Sequence, residues 1–168
     1  MKTRKKAIRP MGAILFRINF GSGKIKELAG KERQGYFIKE ASKARNLVEL
    51  NEVIGDEGLT LKAVRSLVEF LGYSQDQFAS IIGFSTRTVS RWADDAHIGV
   101  LGSKALIDMD ELIGYGIDVM GDQASFKQWL DQPNQALGDL RPIELLLKPY
   151  GVALVHDAVE ALEFGNVM

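Results

Sequence analysis

The sequence predicts a mainly α-helical protein, and three observations carry that reading. Apolar residues recur at helical spacing in two stretches, Leu61, Val64, Leu67, Val68, Leu71 and again Val152, Val155, Val159, Leu162. Two serine caps, Ser74 and Ser85, stand on either side of Gly83, so two short helices are expected around one tight turn. Only residues 13–20, AILFRINF, read as a strand, a short one near the N-terminus that Gly21-Ser22-Gly23 ends.

Taken in order, residues 24–33 are charged and begin a helix that Gly35 stops. Residues 38–54, IKEASKARNLVELNEVI, are helical in composition, with Ala41, Ala44, Leu47, Val48 and Val53 on one face. Gly55 and Gly58 punctuate; Thr60 caps a helix that Gly72 closes. Ser103 opens a helix through about Met120, with Leu106, Met109, Leu112 and Ile113 at core spacing and Gly114 and Gly116 weakening its centre. A short helix carries Phe126, Trp129 and Leu130, and Pro133-Asn134 turns the chain. Pro142 starts the segment IELLLK, closed by Pro149 and Gly151, and a last helix runs from about Val152 to Phe164.

The stretch SQDQFASIIGFSTRTVSRW, residues 74–92, holds the most chemistry. Ser74 and Gln77 have capping-box spacing, and Tyr73 and Phe78 stand where a hydrophobic staple packs. Phe84, Ser85 and Val89 repeat the arrangement. Gly83 supplies the sharp turn, and small Ala79 lets the second helix cross the first. Val89 and Trp92 share the inner face of that second helix. Ser85, Thr86, Arg87, Ser90 and Arg91 are then free to face a duplex, and hydroxyls and guanidinium groups are the donors that meet phosphates and the O6/N7 edge of guanine. The motif is a DNA-binding helix-turn-helix. The plainer alternative, a helical hairpin with a solvated basic face, explains Val89 and Trp92 but not the register of the caps, the glycine and the arginines.

The net charge of -1 conceals a gradient. Residues 1–50 hold 13 Lys and Arg against 4 Asp and Glu, and residues 101–168 hold 4 against 11, so the two ends suit different partners. Asp94 and Asp95 follow the recognition helix and repel phosphate. A single copy is therefore expected to bind DNA weakly. A homodimer would supply two recognition helices, and the basic segment Lys2, Arg4, Lys5, Lys6 and Arg9 could act as an arm along the duplex or serve only as a solubilising tail. Three regions are expected: a basic N-terminal extension at 1–54, the helix-turn-helix at 55–100 and a helical domain at 101–168. There is no cysteine and no apolar run of membrane-spanning length, and the basic start lacks the features of a signal peptide, so a cytoplasmic protein without a membrane partner is expected.

Residues 126–165 read FKQWLDQPNQALGDLRPIELLLKPYGVALVHDAVEALEFG. This run resembles the toxin-binding domain of Xre/MbcA/ParS-type antitoxins. Its Trp129-Leu130, Pro133-Asn134, Leu137-Gly138, Pro142, Gly151 and Phe164-Gly165 follow that family's pattern. The helix-turn-helix is similar to that of the Xre family, and the likeness covers about residues 55–168. Two departures stand out: Asp139-Leu140 replaces a glycine before Pro142, which implies a different loop conformation, and Lys148-Pro149 replaces a small polar residue. The resemblance implies an antitoxin of a type II toxin–antitoxin pair. Its cognate toxin is commonly a RES-domain, NAD-consuming enzyme, and its helix-turn-helix represses their shared operon. A stand-alone transcriptional regulator with a C-terminal dimerisation or effector domain is the alternative. Glu160, Glu163, Gly165 and Asn166, at the acidic end of the last helix, are the candidate toxin contacts, since a cleft that grips a dinucleotide pyrophosphate is cationic.

No catalytic or cofactor constellation competes. His97 and His156 lack metal-type partners at ligand spacing, and His156 with Glu160 reads as an i,i+4 pair. Gly21-Ser22-Gly23-Lys24 lacks the spacing and hydroxyl of a phosphate loop and reads as a turn. The chain is not expected to be an enzyme or to hold a metal.

Overall fold

The computed structural model describes residues 36–165 together with the backbone of two strands. The strands β1 (Ile14–Asn19) and β2 (Ile25–Gly30) pair antiparallel, with Ile14 opposite Gly30 and Asn19 opposite Ile25. The strand expected at 13–20 therefore has a partner. The helix start expected at 24–33 is corrected, because Ile25–Gly30 is that partner. This pair falls in a compact unit of its own, Met1–Arg33, and the rest of the chain from Gln34 forms a second. The basic residues at 2–9, the Gly21–Lys24 turn and Asn166 lie outside the described residues.

The second unit is helical. It begins with α1 (Lys39–Ser42) and α2 (Leu47–Ile54), where one helix was expected. Asn46 divides them: its side chain accepts hydrogen bonds from the Val48 and Glu49 amides, both at 2.9 Å, and so caps α2. The break also turns the face. Ile38, Ala41, Ala44, Leu50 and Ile54 are buried, whereas Leu47, Val48 and Val53, expected inside, are exposed.

Helix α3 (Leu61–Leu71) buries Val64, Leu67 and Leu71 and is capped by Thr60, as its spacing predicted. Gly72 closes it in the left-handed conformation. Helices α4 (Gln75–Ile82) and α5 (Thr86–Val89) follow, then the long α6 (Val100–Met120). Helix α6 starts before Ser103. That residue is buried inside the first turn, where its hydroxyl donates to the Gly99 carbonyl and accepts from the Leu59 amide, both at 2.7 Å. Leu106, Met109, Leu112 and Ile113 are all in the core. Gly116 has a packing role: a Cβ there would lie 2.1 Å from the Phe126 ring. The domain boundary expected after residue 100 thus falls at the first residue of one continuous helix.

The chain closes with α7 (Gln123–Asp131), a 3-10 turn (Gln135–Leu137), α8 (Pro142–Leu145) and α9 (Gly151–Glu163). Phe126 and Leu130 are fully buried, and Val155 and Val159 seat α9 against α6. Asp139 itself adopts φ 60°, a left-handed value that glycine reaches freely and Asp tolerates. The loop before Pro142 therefore turns at the position where the resemblance called for glycine. One buried acid ties the entry of this unit to its centre. Asp110 of α6 is 1% exposed and accepts from the amides of Tyr36, Phe37 and Ile38 at 2.9, 2.7 and 3.0 Å. Burial raises its pKa above the ordinary carboxylate value, and the three amides work against that rise.

Candidate functional site

The turn between α4 and α5 is built by local chemistry. The Ser74 hydroxyl accepts from the Gln77 amide at 3.2 Å, and Gln77 Oε1 accepts from the Ser74 amide at 2.8 Å, which completes the capping box. Gly83 ends α4 at φ 76°, and its position is open to solvent on the Cβ side, so conformation rather than crowding calls for glycine. Ser85 then caps α5 by accepting from the Thr88 amide at 3.1 Å. Ala79 and Val89 are buried beneath the crossing.

Helix α5 is shorter than its spacing suggested. It ends at Val89, and the Arg91 and Trp92 amides donate to the Thr88 and Val89 carbonyls in tighter turns. Trp92, expected on the inner face of a longer helix, lies beyond α5, half-buried, with its ring edge-on to Phe84 at 4.9 Å.

All five residues expected to face DNA lie along this short segment. Ser85, Arg87, Ser90 and Arg91 are exposed, and Thr86 is half-buried. Arg87 and Arg91 form no ion pair among the described residues, so both guanidinium groups remain free to bind. The hydroxyls are partly committed. Thr86 donates to Asp76 at 2.5 Å, Ser90 donates to the Arg87 carbonyl at 3.0 Å, and Ser85 pairs with Thr88 at 2.8 Å. Asp94, expected only to repel phosphate, is paired with Arg65 of α3. The chain after α5 is held by main-chain bonds: the Leu61 and Lys62 amides donate to the Ala96 and Asp94 carbonyls, and the Ile98 amide to the Leu59 carbonyl.

The acidic end of α9 is less uniform than its sequence suggested. Asp157 and Glu163 are exposed, but His156 and Glu160 are half-buried. Glu163 accepts from the Tyr115 hydroxyl, and His156 stacks on the Tyr115 ring at 5.1 Å. Gly165 is exposed at φ 67°, and Asn166 lies outside the described residues. His156 does have neighbours at ligand spacing, contrary to expectation. Its ring nitrogen and carboxylate oxygens of Asp157 and Glu160 lie within 4.8 Å of one another. Exposed acidic groups of this kind gather readily on helices without an ion.

Sequence reasoning missed the outer apolar face of α9. Tyr150 is 87% exposed, Leu154 49% and Phe164 66%. The spacing of residues 150, 154, 161 and 164 carried that signal, but the valine stripe on the opposite face drew the reading instead.

Comparison with known proteins adds two domain matches. Residues 56–105 match the antitoxin Xre-like helix-turn-helix domain, and residues 116–165 match the antitoxin Xre/MbcA/ParS C-terminal toxin-binding domain. The two meet on α6. Among solved structures, the chain is similar to one in a crystal structure of the M. tuberculosis MbcT-MbcA toxin–antitoxin complex. Identity is 19% and the TM-score is 0.42, over 62% of this chain and 94% of that one. No curated protein matches. No helix among the described residues is long and apolar enough to cross a membrane.

Proposed function

We propose, from the premise that this chain is an Xre-family antitoxin carrying a toxin-binding domain, that it neutralises a RES-type, NAD-consuming toxin and represses its own operon. It acts by binding and not by catalysis, in the cytoplasm, where both partners would be found. The observation that carries the reading is the pairing of two specialised halves on one helix. A reading turn with two free guanidinium groups stands at one end, and a domain of the toxin-binding family stands at the other.

Operator binding is assigned to Arg87 and Arg91, with Ser85, Thr86 and Ser90 supporting. A four-residue α5 followed by Asp94 and Asp95 offers few phosphate contacts, which argues for two copies on one operator. Leu101, 83% exposed, and Val100 stand at the start of α6, and Phe84 is exposed in the turn before α5; a second copy could cover these apolar side chains. Toxin binding is assigned to the end of α9. There Glu160, Glu163 and the Gly165-Asn166 tail complement a cleft that must attract a pyrophosphate.

The test is co-expression with the product of the adjacent gene. Growth arrest by that product and rescue by this chain support the antitoxin role, and NAD depletion during arrest supports the RES type. Arg87→Ala should weaken operator binding by about 1–3 kcal/mol if the guanidinium is bidentate to guanine. An equal loss on random DNA reassigns Arg87 to phosphate. A neighbour that never arrests growth leaves the stand-alone regulator as the better reading.

A further inference from the structure

We infer that Asp76 is a positioning residue for the reading turn: through its bond to Thr86 it sets the direction in which Arg87 meets DNA, and with it the preference for the operator over other duplexes. The inference rests on the operator binding proposed above and names a residue outside the five assigned to it.

Helix α5 has little to hold it. It is four residues long and buries Val89 alone. Isolated helices that short are unstable in water, so its orientation must come from its surroundings. Gly83, at the joint with α4, has open space on its Cβ side, so the joint itself leaves the angle between the helices to other contacts. The bonds from Ser85 to Thr88 and from Ser90 to the Arg87 carbonyl lie within the turn; they shape it without aiming it.

The bond between Asp76 and Thr86 is different. Asp76 Oδ1 accepts from the Thr86 hydroxyl at 2.5 Å, across ten residues of chain. Among the described residues it is the one side-chain hydrogen bond that joins α4 to α5. Short bonds from a hydroxyl to a carboxylate are stronger than neutral pairs. Asp76 stands in the first turn of α4, where the capping box of Ser74 and Gln77 fixes the backbone. The anchor is therefore firm at its own end.

Helical geometry turns this hold into aim. Thr86 and Val89 are three apart and share the inner side of α5. Val89 is buried beneath the crossing and Thr86 is tied at the first helical position, so α5 is held at two points. Arg87 follows Thr86 by about 100° of helical rotation, which turns it outward, where it is exposed. A bidentate contact with a base edge demands one direction of approach, whereas phosphates carry no sequence information and line the whole duplex. Freeing Thr86 therefore costs base reading before it costs general affinity. The charge of Asp76 acts separately: it repels a duplex of any sequence. Position and charge can be divided by substitution.

The experiment measures the affinity of the full chain for the DNA upstream of its own gene and for a random duplex of equal length, at one fixed salt concentration. Thr86→Val removes the donor and leaves the charge of Asp76, so the ratio of the two affinities should fall by about fivefold or more through weaker binding upstream. Asp76→Ala should lower the ratio similarly while tightening binding to random DNA. Asp76→Asn keeps an acceptor for Thr86 and removes the charge, so both duplexes should bind more tightly at a ratio near that of the wild type. With Arg87 already replaced by alanine, Thr86→Val should have no further effect on the ratio. The bond is exposed, so Thr86→Val should leave the melting temperature close to that of the wild type; a large fall would assign the bond to the fold and overturn the inference. A ratio that survives Thr86→Val and Asp76→Ala, or that still falls in the Arg87→Ala background, overturns it and leaves operator binding intact. Equal affinity of the wild type for the two duplexes overturns both.

Discussion

The Tyr73 hydroxyl donates to the backbone carbonyl of Ile143 at 2.9 Å, joining the entrance of α4 to the start of α8. Burial pushes the hydroxyl's pKa up, so it remains a donor at any physiological pH. Tyr73→Phe removes the donor and leaves a buried carbonyl unmatched. Stability should fall by about 1–3 kcal/mol, read as a lower urea midpoint at constant slope. A loss confined to the toxin-binding half, with the reading turn intact, would contradict the view that this bond couples the two.

Asp110→Asn should destabilise the helical unit, because an amide cannot accept three amide hydrogens with both of its side-chain atoms. Each donor left unmatched costs about 1–3 kcal/mol. The pH dependence has a definite sign. Burial raises the folded-state pKa above 3.8, so the unfolded chain ionises first as pH increases. The contribution of Asp110 is therefore complete below that ordinary value and is lost as pH rises through the raised one. The difference in unfolding free energy between wild type and Asp110→Asn should shrink over that window. A difference that grows with pH would show that the three amides outweigh desolvation.

Gly116→Ala gains helix propensity of up to about 1 kcal/mol, yet it should destabilise the protein. Its Cβ falls 2.1 Å from the Phe126 ring, and overpacking of this kind costs about 1–3 kcal/mol. Gly151→Ala should be worse, since the obstacle is the Leu145 backbone carbonyl, which cannot swing aside. Thermal melts of the two variants check both the sign and the order.

Asp94→Asn removes a negative charge beside the reading turn and releases Arg65. Binding to any duplex should tighten several-fold at low salt. If Arg65 then finds a phosphate, the slope of log K against log salt should steepen by about 0.9. Affinity titrations across salt concentrations on operator and random DNA provide the measurement.

What the sequence made legible was whatever a few adjacent residues decide. Thr60, Ser74 and Ser85 cap the helices they precede, and Gly72 and Gly83 close them, because caps and left-handed turns are local chemistry. Features set by packing were harder to read. Asn46 with Glu49 three residues on was a start signal, hidden inside a run of helix-forming composition. Once α2 begins there, Leu47 and Val48 rotate to solvent. Strand β2, IKELAG, lacks β-branched residues after its first position and pairs only because β1 faces it. The exposure of Arg87 and Arg91 followed from the spacing, yet the early end of α5 did not, because the bonds that finish it run on through Trp92. The left-handed Tyr150 depends on how closely Gly151 approaches Leu145, some six residues upstream, which no periodicity reports.

Helix α6 has one further consequence. Its 21 residues make a rod of about 32 Å that begins beside the reading turn and ends under α7. Within the helical unit α9 seats along α6 and Tyr73 bonds to Ile143, so the described halves of that unit are held as one piece. Whatever is held at one end has a set distance and azimuth from whatever is held at the other. If copies bind a duplex side by side as proposed, they must either fit their cargo together or exclude it, and geometry alone then meters how many are loaded.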